Sequence, residues 1–232
     1  MSDQETPQET LARPVKPRDA ASLVLIDTEE DEPRILMGKR HARMKFTPDA
    51  YVFPGGKLDA GDFQPTPATT LSKAAEAQMT RAGSSPELAQ ALAMAAVRET
   101  FEETGLFLAA PGDVGPTQDE SWQAFRNAKL APKLDTLSIL ARAITPTLSP
   151  IRFHARFFEV ATNARDLTGT LKGSGELSDL DWYPLSQALE LPIIDVTQFI
   201  LEEIQARQPD WQQPETPPLY CYRNGIPRTL RF

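Results

Sequence analysis

The sequence predicts an α/β (α+β) domain, and three observations carry the prediction. Short apolar runs such as "AASLVLID", "RILMGKR" and "RFHARFFEVAT" have the length and β-branched or alternating character of strands. "SSPELAQALAMAAVRETFEETG" and "DVTQFILEEIQARQ" carry helical spacing and helix punctuation. With 41% hydrophobic residues in 232, the chain can bury a sizeable core in one large domain or one domain with additions.

In chain order, residues 1–18 are polar and rich in Pro, Gln and Glu, which predicts a disordered arm. "AASLVLID" predicts a buried strand, "EEDEP" a turn and "RILMGKR" a second strand, so the two form a hairpin. "KFTPDAYVFPGGKLDAGD" reads as loop, short strand and glycine turn. Residues 63–85, rich in Ala, Thr and Pro, read as an inserted helical piece. A helix follows over 86–104: Ser85 suits the N-cap, Pro86 the first helical position, Glu87 the positive N-terminal end and Gly105 a left-handed cap.

"DESWQAFRNAKL" is expected to be helical, and "LSILARAITP" and "RFHARFFEVAT" to be strands. "GTLKGSGELSDLDWYPLSQALEL" reads as loop, strand and a helix start at Pro184 or Ser186. In "DVTQFILEEIQARQ", Val196, Phe199, Ile200 and Ile204 fall at helical spacing, with Glu203 beside them. The main domain is expected over 19–205. Residues 206–232 form a Pro-rich tail in which Asn224-Gly225, flanked by strand formers, signals a hairpin.

Composition removes several functions. A formal net charge of −8 argues against a nucleic-acid partner, which would want a basic footprint. One cysteine, Cys221, excludes an intrachain disulfide and fits a reducing compartment. The first residues lack the apolar run of a signal peptide, and no stretch approaches the roughly 20 apolar residues of a membrane span. A soluble, cytoplasmic protein is the expectation.

The chemistry concentrates in "RETFEETG", residues 98–105. With about 100° per residue, Glu102 and Glu103 lie about 60° and 40° to either side of Glu99, while Val97, Phe101, Met94 and Ala93 cluster opposite. Like charges at these spacings repel unless something positive sits among them. No lysines interleave at i+4, as a merely solvated face would show. Upstream, "FPGGKLDAGD" adds a glycine turn with backbone carbonyls. Carboxylate, carbonyl and water oxygens are the ligands of hard divalent cations such as Mg²⁺ or Mn²⁺.

These residues resemble the Nudix box, Gly-x5-Glu-x7-Arg-Glu-U-x-Glu-Glu-x-Gly-U with U a bulky apolar residue. The second half stands as Arg98-Glu99-Thr100-Phe101-Glu102-Glu103-Thr104-Gly105-Leu106, with Thr100 replacing the first U. In the first half Gly56 is followed by Asp62 where the family has Glu. An uninterrupted box would put Arg at 70, so 98 − 70 = 28 extra residues split the motif. The resemblance covers roughly residues 20–205 and implies a Nudix fold, a mixed β-sheet sandwiched between α-helices.

It also implies roles. Glu99, Glu102 and Glu103 would ligate Mg²⁺ or Mn²⁺, with the Gly55 or Gly56 carbonyl as a further ligand. Arg98 would hold the glutamates in register, and Asp62, one methylene shorter than the family's glutamate, would support it. Gly105 ends the helix of the box. The reaction would be cleavage of a diphosphate by in-line attack of water, with Glu99, Glu103 or the later loop residue Glu176 taking the proton and Asp179 as a substitute for Glu176. Arg40, Arg43 and Lys45, in "GKRHARMKF", are candidates to grip the phosphates. His154 reads as structural, and Trp182 and Tyr183 as packing.

The split box, with "AASLVLID", "DAYVFPGGKLDAGD" and "RFHARFFEV", is similar to the branch containing acyl-coenzyme A diphosphatases. That similarity implies a nucleoside diphosphate derivative as partner, coenzyme A or acyl-coenzyme A. ADP-ribose, NADH or a nucleotide sugar is the alternative within catalysis. Outside it stands a ligand-sensing module, a role for which the family tends to lose box glutamates that this chain keeps. Isomerase chemistry would need a cysteine near the box, and Cys221 lies far from it. The insertion and the tail are candidates for shaping the pocket or for a homodimer interface.

Overall fold

The computed structural model describes residues 15–43, 47–208 and 215–231. The predicted arm therefore lies outside the described residues up to position 14. Four strands come first: β1 (Arg18–Asp27), β2 (Arg34–Arg40), β3 (Tyr51–Val52) and β4 (Gly55–Lys57). The inserted segment holds α1 (Lys73–Arg81), and the long helix α2 spans Pro86–Thr104. Short strands β5 (Leu106–Phe107) and β6 (Ala109–Pro111), helix α3 (Glu120–Asn127) and strand β7 (Leu130–Pro132) follow. The second half contributes β8 (Ser138–Ile144), β9 (Phe153–Thr162), β10 (Thr168–Gly169), β11 (Leu177–Pro184), α4 (Leu185–Ala188), α5 (Asp195–Ala206), β12 (Leu219–Arg223) and β13 (Ile226–Leu230).

Among the described residues the main sheet runs β11-β2-β1-β9-β8-β12-β13, with β3 on β2 and β4 on β1. It is mixed: β1 with β9 and β8 with β12 are parallel, and the other pairs are antiparallel. Strand alternation divides β1 between two cores. Ala21, Leu23 and Leu25 face one cluster with Met79, Leu92, Met94 and Phe125 of α1, α2 and α3. Val24 and Ile26 face the other, with Leu185, Phe199, Ile200 and Ile204 of α4 and α5. Helices therefore cover both faces, which is the predicted sandwich.

Helix α2 begins and ends where its punctuation places it. The Ser85 hydroxyl accepts from the Leu88 N–H, Pro86 opens the helix, and Gly105 closes it at φ 74°. Its alanine-rich middle, residues 91–98, is buried all round, so small side chains let neighbouring elements approach closely. The tail is more than an appendage. Residues beyond 205 extend the same sheet, because Leu219 and Tyr220 pair in parallel with Arg142 and Ala143. The Asn224-Gly225 turn, at φ 53° and 76°, then joins β12 to β13 as a hairpin. Among the described residues no helix is long and apolar enough to cross a membrane.

Candidate active site

The C-terminal turns of α2 lie against β4, and the glycines make the approach feasible. A Cβ on Gly56 would sit 2.4–2.6 Å from the Glu99 carboxylate, and one on Gly55 2.6 Å from the Ala21 carbonyl oxygen. The glycine segment is thus a strand paired with β1, where an open turn was expected. The Gly55 N–H donates to Glu103 Oε2 at 2.9 Å.

Arg98 is the positive charge among the acids. Only 5% of its side chain is exposed, while its Nε and Nη2 donate to the two oxygens of Asp62 at 2.7 and 3.0 Å. Nη1 donates to Glu99 Oε1 at 2.9 Å and to Glu102 Oε1 at 3.0 Å, and Nη2 also reaches the Lys57 carbonyl at 3.2 Å. Burial pulls its pKa down, but its hydrogen bonds to Asp62 and the charges of Glu99 and Asp62 more than offset this and raise it above its ordinary value. Asp62 also accepts from the Asp59 N–H at 2.9 Å, so its carboxylate is committed to structure. The shorter aspartate thus reaches the arginine across the split in the motif.

The acidic face was expected to turn away from the core, and it is largely covered. Glu103 is 6% exposed and Glu99 is half-buried. Burial pushes Glu103 up to about 8 against the opposing Gly55 N–H, with Glu99 and Glu176 adding repulsion. Burial likewise raises Glu99 to about 7, partly countered by Arg98. Two carboxylates that would rather be neutral, side by side, mark a place where positive charge is in demand. Among the described residues no group of three or more His, Cys, Asp or Glu is already spaced around one point to hold a metal ion. Arg98 and the Gly55 N–H engage these glutamates, taking one oxygen each of Glu99, Glu102 and Glu103. As a donor set, three carboxylates beside a glycine strand still suit a hard divalent cation.

These residues form one end of a cavity of about 730 Å³ that Arg40, Lys57, Asp59 and Glu176 also line. Glu176 is exposed and faces the cavity, whereas Asp179 does not line it and instead accepts from the Tyr51 and Tyr183 hydroxyls. Arg43 sits on an exposed turn outside the cavity lining, and Lys45 lies outside the described residues. His154 is on β9, away from this lining. Sequence reasoning missed Ser121, whose hydroxyl on α3 donates to Glu102 Oε1 at 2.7 Å. It also missed Ser22, Asp195, Tyr220 and Tyr222 in the cavity wall. Their contribution depends on chain crossings that no local pattern announces.

A mixed sheet between helices, with a carboxylate ridge ending its longest helix, matches the Nudix fold. A crystal structure of a Nudix hydrolase from Alicyclobacillus acidocaldarius superposes with a TM-score of 0.60 and 26% identity, covering 81% of this chain and 90% of that one. No protein-family model matches the chain. In fold and in the carboxylate motif the chain is similar to Nudix hydrolases. In sequence, the chain is 23% identical over 206 residues to an acyl-coenzyme A diphosphatase of Xenopus laevis, covering 67% of this chain and 54% of that protein. An acyl-coenzyme A diphosphatase of Gallus gallus is 32% identical over 98 residues, or 34% of this chain and 26% of that protein. The chain thus spans about half the length of the first of these relatives and about a quarter of the second.

Proposed function

We propose that this protein hydrolyses a diphosphate bond in a nucleoside diphosphate-linked substrate, of the coenzyme A type, with the help of Mg²⁺ or Mn²⁺. The observation that carries the reading is the Arg98-centred carboxylate cluster, which presents Glu99, Glu102 and Glu103 to one end of a cavity large enough for a nucleotide derivative. Glu99, Glu102 and Glu103 would hold the metal, with Gly56 at their side. Bound there, the cation would neutralise phosphate oxygens and ease deprotonation of the attacking water.

The protein's own groups divide the remaining work. Arg98 fixes the directions of Glu99 and Glu102, and Asp62 fixes Arg98. Glu103, held by the Gly55 N–H, and Glu176, exposed on the facing loop, are the bases within reach of a water at the ridge. Arg40 lines the same end and offers charge to the phosphates, and Arg43 and Lys45 continue that basic stretch. The similarity to two acyl-coenzyme A diphosphatases supports coenzyme A or its thioesters as the substrate class.

The test is a panel of coenzyme A, acyl-coenzyme A, ADP-ribose, NADH and nucleoside triphosphates, each with Mg²⁺ or Mn²⁺ and products read by mass. Phosphopantetheine and adenosine bisphosphate products are expected from the coenzyme A compounds. Bound metal with no turnover of any compound would instead make this a sensing module.

A further inference from the structure

The cavity has a second end that the hydrolytic residues do not use. Away from the glutamates its wall is built by Ile144, Phe153, Phe157, Val196, Tyr220 and Tyr222. Strand pairing explains their convergence. Tyr220 lies beside Ala143 in the parallel β12–β8 pair, so it and Tyr222 share the face that Phe157 and Ala155 present from β9. Val196 closes the wall from the first turn of α5. Among the described lining residues the cations are Arg40, Lys57 and Arg98, and all three belong to the phosphate end. On the second limb the Tyr222 hydroxyl and Asp195 are engaged with each other, the hydroxyl donating to Asp195 Oδ2 at 3.0 Å.

Such a wall offers no cationic side chain for a further phosphate, and most of its lining side chains are apolar. It also does not stop at a closed end. Thr145, Pro146 and Ile151 of the β8–β9 loop continue it to the surface, where Ile151 is 41% and Leu148 95% exposed. An apolar path that runs out to solvent suits a long flexible chain better than a compact ring.

Resting on the hydrolase reading above, we infer that this limb, completed by Tyr220 and Tyr222 of the C-terminal hairpin, receives an aliphatic acyl chain carried by the diphosphate substrate. The hairpin and the first turn of α5 then set specificity, while the ridge of α2 sets chemistry.

Calorimetric titrations of the full chain in Mg²⁺ with coenzyme A, octanoyl-coenzyme A and ADP test this without requiring turnover. Octanoyl-coenzyme A is expected to bind about tenfold or more tightly than coenzyme A, the order given by burying a few methylenes. In Val196→Glu, and independently in Tyr222→Ala, that ratio is expected to fall toward one, with melting temperatures recorded for both variants. Equal binding of the two thioester and thiol forms by the unaltered chain would overturn the inference. So would variants that weaken ADP as strongly as octanoyl-coenzyme A, since the limb would then hold the base. A chain preference without cleavage of either compound would defeat the hydrolase reading and leave the limb standing. Cleavage with no chain preference would do the reverse.

Discussion

Arg98 and Asp62 decide whether the glutamates point anywhere useful. Both side chains are essentially withdrawn from water, at 5% and 0% exposure, and they meet through two hydrogen bonds. Breaking such a buried pair leaves an uncompensated charge, so Asp62→Ala is expected to cost about 3–5 kcal/mol in denaturant unfolding. Gly56→Ala should behave differently. Its new methyl would strike the far end of the Glu99 side chain, which can swing aside, so melting should change little while hydrolysis falls by about a hundredfold or more. Near-normal turnover in that variant would remove Glu99 from the mechanism. Glu102→Gln is likewise expected to abolish turnover with circular dichroism unchanged, and retained activity would contradict its assignment as a ligand.

His154 supplies a pH prediction at the same scale. Burial and then the charges of Arg156 and Arg142 lower its pKa from 6.5 to about 4, with Asp19 opposing. The unfolded chain therefore binds the extra proton first. The contribution to stability is full above about 6.5 and is lost as the pH falls toward 4. His154→Gln should flatten the dependence of melting temperature on pH across that window relative to the unaltered chain. An unchanged slope would show that His154 titrates normally.

Helix α2 was legible to the residue because its signals are local: a hydroxyl at 85, a proline at 86 and a glycine at 105 act within one turn of themselves. The acidic ridge was legible too, as a spacing. Its burial was not, since that depends on β4 and α3 crossing over it. Ser121 on Glu102 illustrates the gap, because nothing near residue 121 points toward residue 102. Next to it, the rings of Phe101, Phe107, Trp122 and Phe125 pack with centroids 4.3–5.4 Å apart and fasten α3 to the active end of α2. Phe125→Ala is expected to cost about 3–5 kcal/mol, measured by urea unfolding. Because Phe101 lies between Glu99 and Glu103, activity should fall before global unfolding does.

For the molecule as a whole, metal and stability should be linked. A cation held only by the folded ridge stabilises it by mass action, about 2.7 kcal/mol at one hundred times its dissociation constant. For a chain of this length that is a rise in melting temperature of about 5–10 °C. The rise should appear with Mg²⁺ or Mn²⁺, vanish on chelation, and be absent in Glu102→Gln. A shift of equal size in that variant would place the ion elsewhere. The strand order itself was beyond sequence reading: Arg18 lies beside Phe153, and Arg142 beside Leu219. Pairings so remote leave no periodic trace.

The parallel seam between β8 and β12 has a consequence for how the chain comes to life. During synthesis, β8 is made some eighty residues before its neighbour, an interval of several seconds at ordinary translation speeds. Throughout that wait its outer flank is an unpaired template of hydrogen-bonding groups, backed by Ile139, Leu140 and Ala141. Premature termination anywhere between 145 and 218 would freeze that exposure. The released fragments should be clients of chaperones and proteases.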